Sequence, residues 1–350
     1  VIMTLSQAYP SAVLLDWSTH VFTAQGLPGQ DAAEVSRRLL RSELRGYGTH
    51  GLTRIPAYVE RLQSGAFNAR PSIQVQRRAG GVVLDCDGAM GQVAAAWAMR
   101  EALAGLESSA TVLVALRDCC HLGALGIHVL EAAEAGCFAL MGQRTPPALA
   151  LPGFGAAAIG HNPVAFACPV GDGDPIVFDM ACSVAARGHI LLAARDGRPI
   201  PDDWAVDADG QPTTDPARAL KGALRPAGHY KGVGIAMMIE CLAGAFAATA
   251  DSLIAARQPL SATGVSGRQS GFLWVARPGA FTQREAFEAY MGHWVAHYRD
   301  AAGEQAHLPG ERGARGEREA ERDGLVLERA LVESLVELGR RVGCPWPGAD

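Results

Sequence analysis

The sequence contains no G-x-G-x-x-G placed between a strand and a helix, no C-x-x-C and no long basic face, and each absence removes a class of protein. A conventional dinucleotide fold carries G-x-G-x-x-G between a strand and a helix, with an acid about 20 residues on. Gly232-Val233-Gly234 comes closest, but the run 224–228 before it does not read as a strand, and Gly153-Phe154-Gly155 has the wrong spacing to Gly160. On motif logic a Rossmann fold is not expected. The eight cysteines, Cys86, Cys119, Cys120, Cys137, Cys168, Cys182, Cys241 and Cys344, show no regular framework. Several sit in apolar runs and read as buried, reduced thiols of a cytoplasmic protein. A formal net charge of -5 without a basic face argues against nucleic acid as a partner. The opening residues Val1 to Leu5 lack a basic region followed by a long apolar run, so no signal peptide is expected. The most apolar helix candidate, 233–250, contains Glu240 and many Ala and Gly, and reads as a core helix rather than a membrane span. Internal repeats and low-complexity tracts are also absent.

What is present suits a sizeable globular enzyme: 350 residues, 49% of them hydrophobic. The N-terminal part reads helical. Asp31 and Glu34 resemble a capping box, Val35, Leu39, Leu40 and Leu44 follow at helical spacing, and Gly46 and Gly48 end the helix. A second helix starts near Thr53, with Pro56 in its first turn and Ile55, Tyr58, Val59 and Leu62 on one face. From about Gly81 strands and helices alternate. Strands are expected at 81–85, 111–116, 137–141, 163–169 and 175–180, and helices at 91–106, 124–135, 183–195 and 232–250. The alternation predicts an α/β core. The segment 199–216 reads as an ordered loop, 310–322 as a solvated charged loop, and 325–342 as the last helix.

The chemistry-bearing residues concentrate at Gly-rich junctions. Thr49, His50 and Arg54 lie in the connection between two helical patterns, where a hydroxyl and a guanidinium can hold a carboxylate and an imidazole can move a proton beside it. Gly228 to Gly232 opens a helix with Lys231 on it, and suits a phosphate-bearing ligand or a plain helix start. Asp179 to Ser183 joins a strand to a helix, with Asp179 at the carboxyl end of the strand, where α/β sheets bind ligands. His121, His161, His189 and His229 also fall at junctions, and at least one junction histidine is expected to work as an acid or base. His293 and His297 have i, i+4 spacing but no nearby acid, and read as part of an amphipathic surface helix.

With these residues in hand, nearly the whole chain resembles the type-2 malate/L-lactate dehydrogenase family, which includes ureidoglycolate, diketogulonate, sulfolactate and piperideine-2-carboxylate enzymes. The matching stretches are Gly48–Arg54, His121–Gly123, Gly160–Phe166, Asp179–Ser183, Tyr230–Gly232 and Leu308–Glu311, in the family's order. The resemblance implies a non-Rossmann α/β fold with a mixed sheet core and helical N- and C-terminal parts. It implies residues 1–80 with 280–350 as a helical substrate and dimerisation domain, and 81–279 as the NAD(P)-binding domain. It further implies an NAD- or NADP-dependent oxidoreductase, a homodimer with active sites near the subunit interface. Carried over by position, His50, His121 and Asp179 are catalytic, Thr49 and Arg54 bind substrate, and His121, Gly160, Asn162, Met180, Ala181, Cys182, Ser183, Tyr230, Lys231, Gly310 and Glu311 contact the cofactor. No metal is implied. Thr49 replaces the family's usual Ser, His161 its usual Thr, Cys120 a commoner Asn or Ser, and Leu122 a frequent aromatic. The expected reaction is hydride transfer at C2 of a small 2-oxo or 2-hydroxy acid. The alternatives are reduction of a cyclic 2-imino acid, a metal-dependent hydrolase built on the junction histidines and Asp179, and a silent binding protein.

Overall fold

A computed structural model of the chain describes residues 8–151, 156–248, 268–303 and 306–348. Gly153 to Gly155 and the end of the expected 232–250 helix lie outside them. The chain opens with β1 (Ala8–Tyr9), α1 (Ser11–Ala24), α2 (Gly29–Leu44), two short 3-10 turns (Gly48–His50 and Leu52–Arg54) and α3 (Ile55–Gln63). Next come β2 (Gln74–Arg78), β3 (Gly81–Asp85), α4 (Gly91–Gly105), β4 (Thr111–Cys119), α5 (Leu125–Glu134) and β5 (Phe138–Arg144). They are followed by β6 (Pro147–Ala150), β7 (Ala157–Gly160), β8 (Val164–Val170), β9 (Gly173–Met180), α6 (Arg187–Arg195), β10 (Ala205–Val206), α7 (Pro216–Ala219), β11 (Ala223–Leu224) and α8 (Tyr230–Ile239). The last part holds β12 (Gln269–Ala276), α9 (Arg284–Ala302), α10 (Glu311–Asp323), β13 (Leu325–Val326) and α11 (Arg329–Val342).

Seven strands form one mixed sheet in the order β2-β3-β4-β12-β5-β8-β9. Only β3 and β4 run parallel; β12 returns from late in the chain to pair antiparallel with both β4 and β5. Helices α4 and α5 cover one face, and their small Ala residues let them lie close to Leu84, Val114, Leu116 and Leu273. On the other side, Ile239 of α8 and Ala243 of the following π turn (Glu240–Ala245) pack with Phe272 and the small β10-β11-β6-β7 sheet. A second core joins α1, α2, α3 and α11 around Phe22, Leu39, Tyr58 and Leu335. The observed fold is the mixed α/β arrangement with helical ends that the sequence led us to expect. Chain segments cross between the two cores at β4's end: Cys119 and Leu122 belong to the sheet core, and Cys120 to the helical core.

Several local expectations are corrected. Residues 310–322 are not a loop: α10 is a helix, because its Glu, Arg and Ala are good helix formers and its charges find fixed partners. Glu317 receives Arg41 Nε at 2.7 Å and Arg45 Nη1 at 2.5 Å, and Arg318 reaches Asp174 at 2.7 Å. The capping box is also displaced. Helix α2 begins at Gly29 after an extended Pro28, so Asp31 is the third helical residue, and Glu34 pairs with Arg37 and Arg38 instead. Helix α6 begins only at Arg187, since Ala186 is extended (φ -71°, ψ 139°). The last helix starts at Arg329, because Leu325–Val326 pair with Ala8–Tyr9. Leu224, read as outside any strand, pairs with Ala205 and Leu149 in β11.

Candidate functional site

The Thr49–Arg54 loop is shaped by what surrounds it. Gly46 (φ +81°) turns the chain out of α2, and Tyr47 N–H donates back to Ser42 O at 2.8 Å. Glu43, which the sequence reading passed over, then fixes the loop from beneath: Leu52 N–H donates to its Oε2 at 2.8 Å. A Cβ on Gly51 would stand 2.1 Å from that oxygen, so the close approach needs glycine. Within the loop, Thr49 Oγ1 lies 2.9 Å from His50 Nδ1, and Arg54 Nε donates to Thr49 O at 2.5 Å. That bond aims the guanidinium while its two terminal nitrogens have no carboxylate partner among the described residues.

The loop opens onto a cavity of about 300 Å³. Facing it are His50, His121, His161, Arg54, Arg187 and Asp179. The His50 and His121 rings are 5.5 Å apart, centroid to centroid. Burial pushes His50 down to about 3, helped by the Arg54 charge. Burial likewise holds His121 well below the usual imidazole range, with His50 and Arg54 adding to the effect. His161, with Nδ1 at 3.2 Å from Thr145 Oγ1, is pushed by burial to about 4. All three imidazoles are therefore neutral at neutral pH. Asp179 moves the other way: burial raises its carboxyl to about 6, even though Gly126 N–H donates to Oδ2 at 2.7 Å. That bond places the carboxylate over the first turn of α5, where the helix dipole favours it.

Met180 and Ala181 also line the cavity. Apart from His121, the other residues assigned to the cofactor by resemblance do not. Asn162 is fully buried at φ +23°, with its side chain engaged inside the protein: Oδ1 accepts from Thr145 N–H at 2.9 Å, and Nδ2 donates to Ala236 O at 2.9 Å. Gly160 exists to admit that amide, since its Cβ would stand 2.2 Å from Asn162 Oδ1. Cys182 is buried, its N–H donating to His161 O and its O accepting from Ala227 N–H; burial pushes its thiol up to about 12. Ser183 is buried beside Pro226. Tyr230 and Lys231 stand exposed on the first turn of α8. Gly310 docks the start of α10 against Pro175 and Val177 of β9, where Pro309 O accepts from Val177 N–H at 2.9 Å, while Glu311 pairs with Arg299 and accepts from Leu308 N–H at 3.0 Å. His189 faces Trp204 on the surface, His229 caps α8 at φ +55°, and His293 and His297 lie on α9. Among the described residues, no group of three or more His, Cys, Asp or Glu is arranged to hold a metal ion. The thiols are free, mostly buried, and Cys241 is exposed.

Four polar residues of the site were missed: Tyr47, Gln143, Thr145 and Arg187. Gln143 splints the backbone on both sides of His121, accepting from Leu122 N–H at 3.1 Å and donating to Cys120 O at 3.0 Å. Arg187 opens α6, four residues after the Asp179–Ser183 turn, and its Nε is buried with no partner.

Three neutral imidazoles, two guanidiniums without carboxylate partners among the described residues and one carboxyl of raised pKa define a site for proton-coupled chemistry on a small anion. The chain belongs to the malate/L-lactate dehydrogenase family, whose model matches residues 10–336, and is an oxidoreductase. It is 34% identical over 322 residues to a Δ1-pyrroline-2-carboxylate/Δ1-piperideine-2-carboxylate reductase of Pseudomonas putida, covering 91% of this chain and 93% of that one. It is also 34% identical to an NAD(+) ureidoglycolate dehydrogenase of Escherichia coli, over 89% and 90% of the two chains. The solved sulfolactate dehydrogenase of Methanocaldococcus jannaschii superposes with a TM-score of 0.85 at 28% identity, over 97% and 98%. No helix among the described residues is long and apolar enough to cross a membrane.

Proposed function

We propose that this protein transfers hydride between a nicotinamide cofactor, NAD or NADP, and C2 of a small 2-oxo or 2-hydroxy acid. The convergence of Thr49, His50, Arg54, His121 and Asp179 on one cavity, in a chain of this family, carries the reading. The cavity suits a flat ring beside the histidines: Gly123, Ala124, Ala181, Ala186 and Gly188 face it with nothing beyond Cβ, and the unpartnered Arg187 Nε offers a buried donor. When bound, the nicotinamide supplies or takes the hydride. Arg54 holds the substrate carboxylate through its free terminal nitrogens, with the Thr49 hydroxyl beside it. In oxidation, a neutral imidazole takes the hydroxyl proton as the C2–H hydride leaves. In reduction, the proton returns to the oxygen from the same group. Because burial keeps the imidazoles neutral, the resting site is set for the base role.

A second reading, reduction of a cyclic 2-imino acid, is favoured by the identity to the Pseudomonas putida reductase. Residues 1–80 with 280–350 serve substrate binding and dimerisation, and 81–279 serve the nicotinamide. A cytoplasmic homodimer completes the proposal, supported by the apolar side chains of Tyr230, Met237 and Met238 left exposed on α8; light scattering measures it. The deciding experiment is a panel of 2-oxo and cyclic 2-imino acids, each with NADH and with NADPH, followed by absorbance. Turnover on one class is expected; none on either, with full activity against ester or amide substrates, overturns the reading. Replacing His50 with Ala should cut turnover by roughly 10²-fold or more while cofactor affinity holds.

A further inference from the structure

The proton positions on His121 are dictated from outside the cavity. Arg38 is 2% exposed and paired with Glu34 and Glu131, the latter at 2.8 Å. A guanidinium only donates. Its Nε lies 3.3 Å from His128 Nδ1, so that nitrogen accepts and the His128 proton sits on Nε2. His128 is fully buried, and burial next to Arg38 keeps it neutral, pushed down to about 3. Its Nε2–H donates to Leu122 O at 2.8 Å. The same carbonyl is 3.4 Å from the Gln92 side chain, which must turn its nitrogen, not its oxygen, toward another oxygen. Gln92 Oε1 is left buried without a partner, the cost of that orientation. Gln92 Nε2 also donates to Tyr58 Oη at 3.2 Å. Tyr58 is wholly buried, and burial raises its phenol to about 12, so it keeps its proton. With its oxygen already accepting from Gln92, it donates to His121 Nδ1 at 2.8 Å.

We propose that this relay, Arg38–His128–Leu122 carbonyl–Gln92–Tyr58, locks His121 in the Nε2–H tautomer, making Tyr58 and Gln92 positioning residues for the reaction. His121 then meets the substrate oxygen as a hydrogen-bond donor, complementary to charge developing there in reduction. With Nε2 already protonated, it does not take the hydroxyl proton in oxidation. That task falls to His50, whose Nδ1 partner is the hydroxyl of exposed Thr49, a group that turns freely between donor and acceptor. The inference deepens the proposed function and rests on it for the division of labour, but the tautomer itself does not depend on turnover.

The test is nitrogen NMR of the intact protein with labelled histidine, on wild type, Tyr58→Phe and Gln92→Leu. In wild type, His121 and His128 should both read as protonated on Nε2. Tyr58→Phe should leave His128 unchanged and release His121 into a mixture of tautomers, because His128 lies upstream in the relay. Gln92→Leu should do the same to a smaller degree. In whichever acid assay shows activity, Tyr58→Phe should lower kcat about 10-fold, part of the effect general acid–base help contributes, with KM within about twofold. Wild-type His121 protonated on Nδ1, or an unchanged tautomer in Tyr58→Phe, overturns the relay. Absence of turnover on every acid, with the tautomers as stated, instead removes the functional reading and leaves the relay standing.

Discussion

Individual residues of the cavity are held against their own solvation, and Asp179 shows the cost most directly. Its folded pKa of about 6 exceeds the ordinary 3.8, so the folded state holds the proton more tightly than the unfolded one. Stability is therefore lost as pH rises from about 4 to 6, and above that window the ionised carboxylate costs the fold about 2–3 kcal/mol. Asp179→Asn keeps an acceptor for Gly126 N–H and removes the charge. It should be more stable than wild type by on the order of 2 kcal/mol at pH 8 and equal to it by pH 3.5, measured by urea unfolding. A gap that widens toward acid would refute the account. Arg54→Lys probes the clamp beside it. A lysine cannot both bond Thr49 O and present a planar fork, so KM for the acid should rise about tenfold or more, equivalent to ~1.4 kcal/mol. An unchanged KM would take Arg54 out of that role. The sequence exposed Thr49, His50, Arg54, His121 and Asp179 because each is a polar group at a Gly-rich junction. Thr145, Gln143 and Arg187 carried no such mark. They reach the cavity only because β5 and α6 end and begin there, which is a property of the folded sheet.

Elements were legible to the extent that burial wrote a pattern into them. Strands β3, β4 and β5 are apolar runs, and their positions could be read. Strand β2 is exposed at nearly every residue and left no signal. Strand β12 sits mid-sheet, but Ser270 and Gly271 break its apolar run. A Cβ on that glycine would crowd its neighbours, standing 3.1 Å from Gly142 O and 3.2 Å from the Leu122 side chain. Helix α10 misled for the opposite reason. Its Arg and Glu residues look solvated, and its Gly313 and Gly316 look like breakers. In the fold these glycines let α10 approach α2 to within 3.2 Å of Arg45 O and 3.3 Å of Leu44 O, measured from an added Cβ. The approach brings Glu317 between Arg41 and Arg45, and the Arg45 side chain is only 4% exposed. Glu317→Ala strands that buried charge and should cost about 3 kcal/mol in unfolding free energy. A loss below ~0.5 kcal/mol would mean that the pairing behaves like a surface contact.

The molecule as a whole is acidic, at net charge -5, yet its cavity is not. The site lies where the helical and sheet cores meet, at the crossing that carries His121. There Arg54 and Arg187 supply two positive charges, the three histidines supply none at neutral pH, and Asp179 supplies one negative charge once ionised. Such a pocket draws a small anion into a molecule whose remaining surface repels it. Because burial holds the three histidines below the ordinary imidazole range, Asp179 is the cavity group whose charge changes as pH rises through about 6. Its ionisation lowers the local charge as pH rises through about 6. Oxalate, a two-carboxylate mimic of the acid end of the substrate, should therefore bind more weakly at pH 8 than at pH 5, by roughly three- to tenfold, about 1 kcal/mol at an effective dielectric between protein and water. By reciprocity, bound oxalate should raise the Asp179 pKa by the same coupling. Titration calorimetry across that range tests the first statement. In Asp179→Asn the pH slope should vanish while binding at pH 5 persists, since the neutral amide copies the protonated acid. A slope that survives the substitution would place the titrating group elsewhere, and a flat profile in wild type would mean that Arg54 and Arg187 alone set the potential of the site.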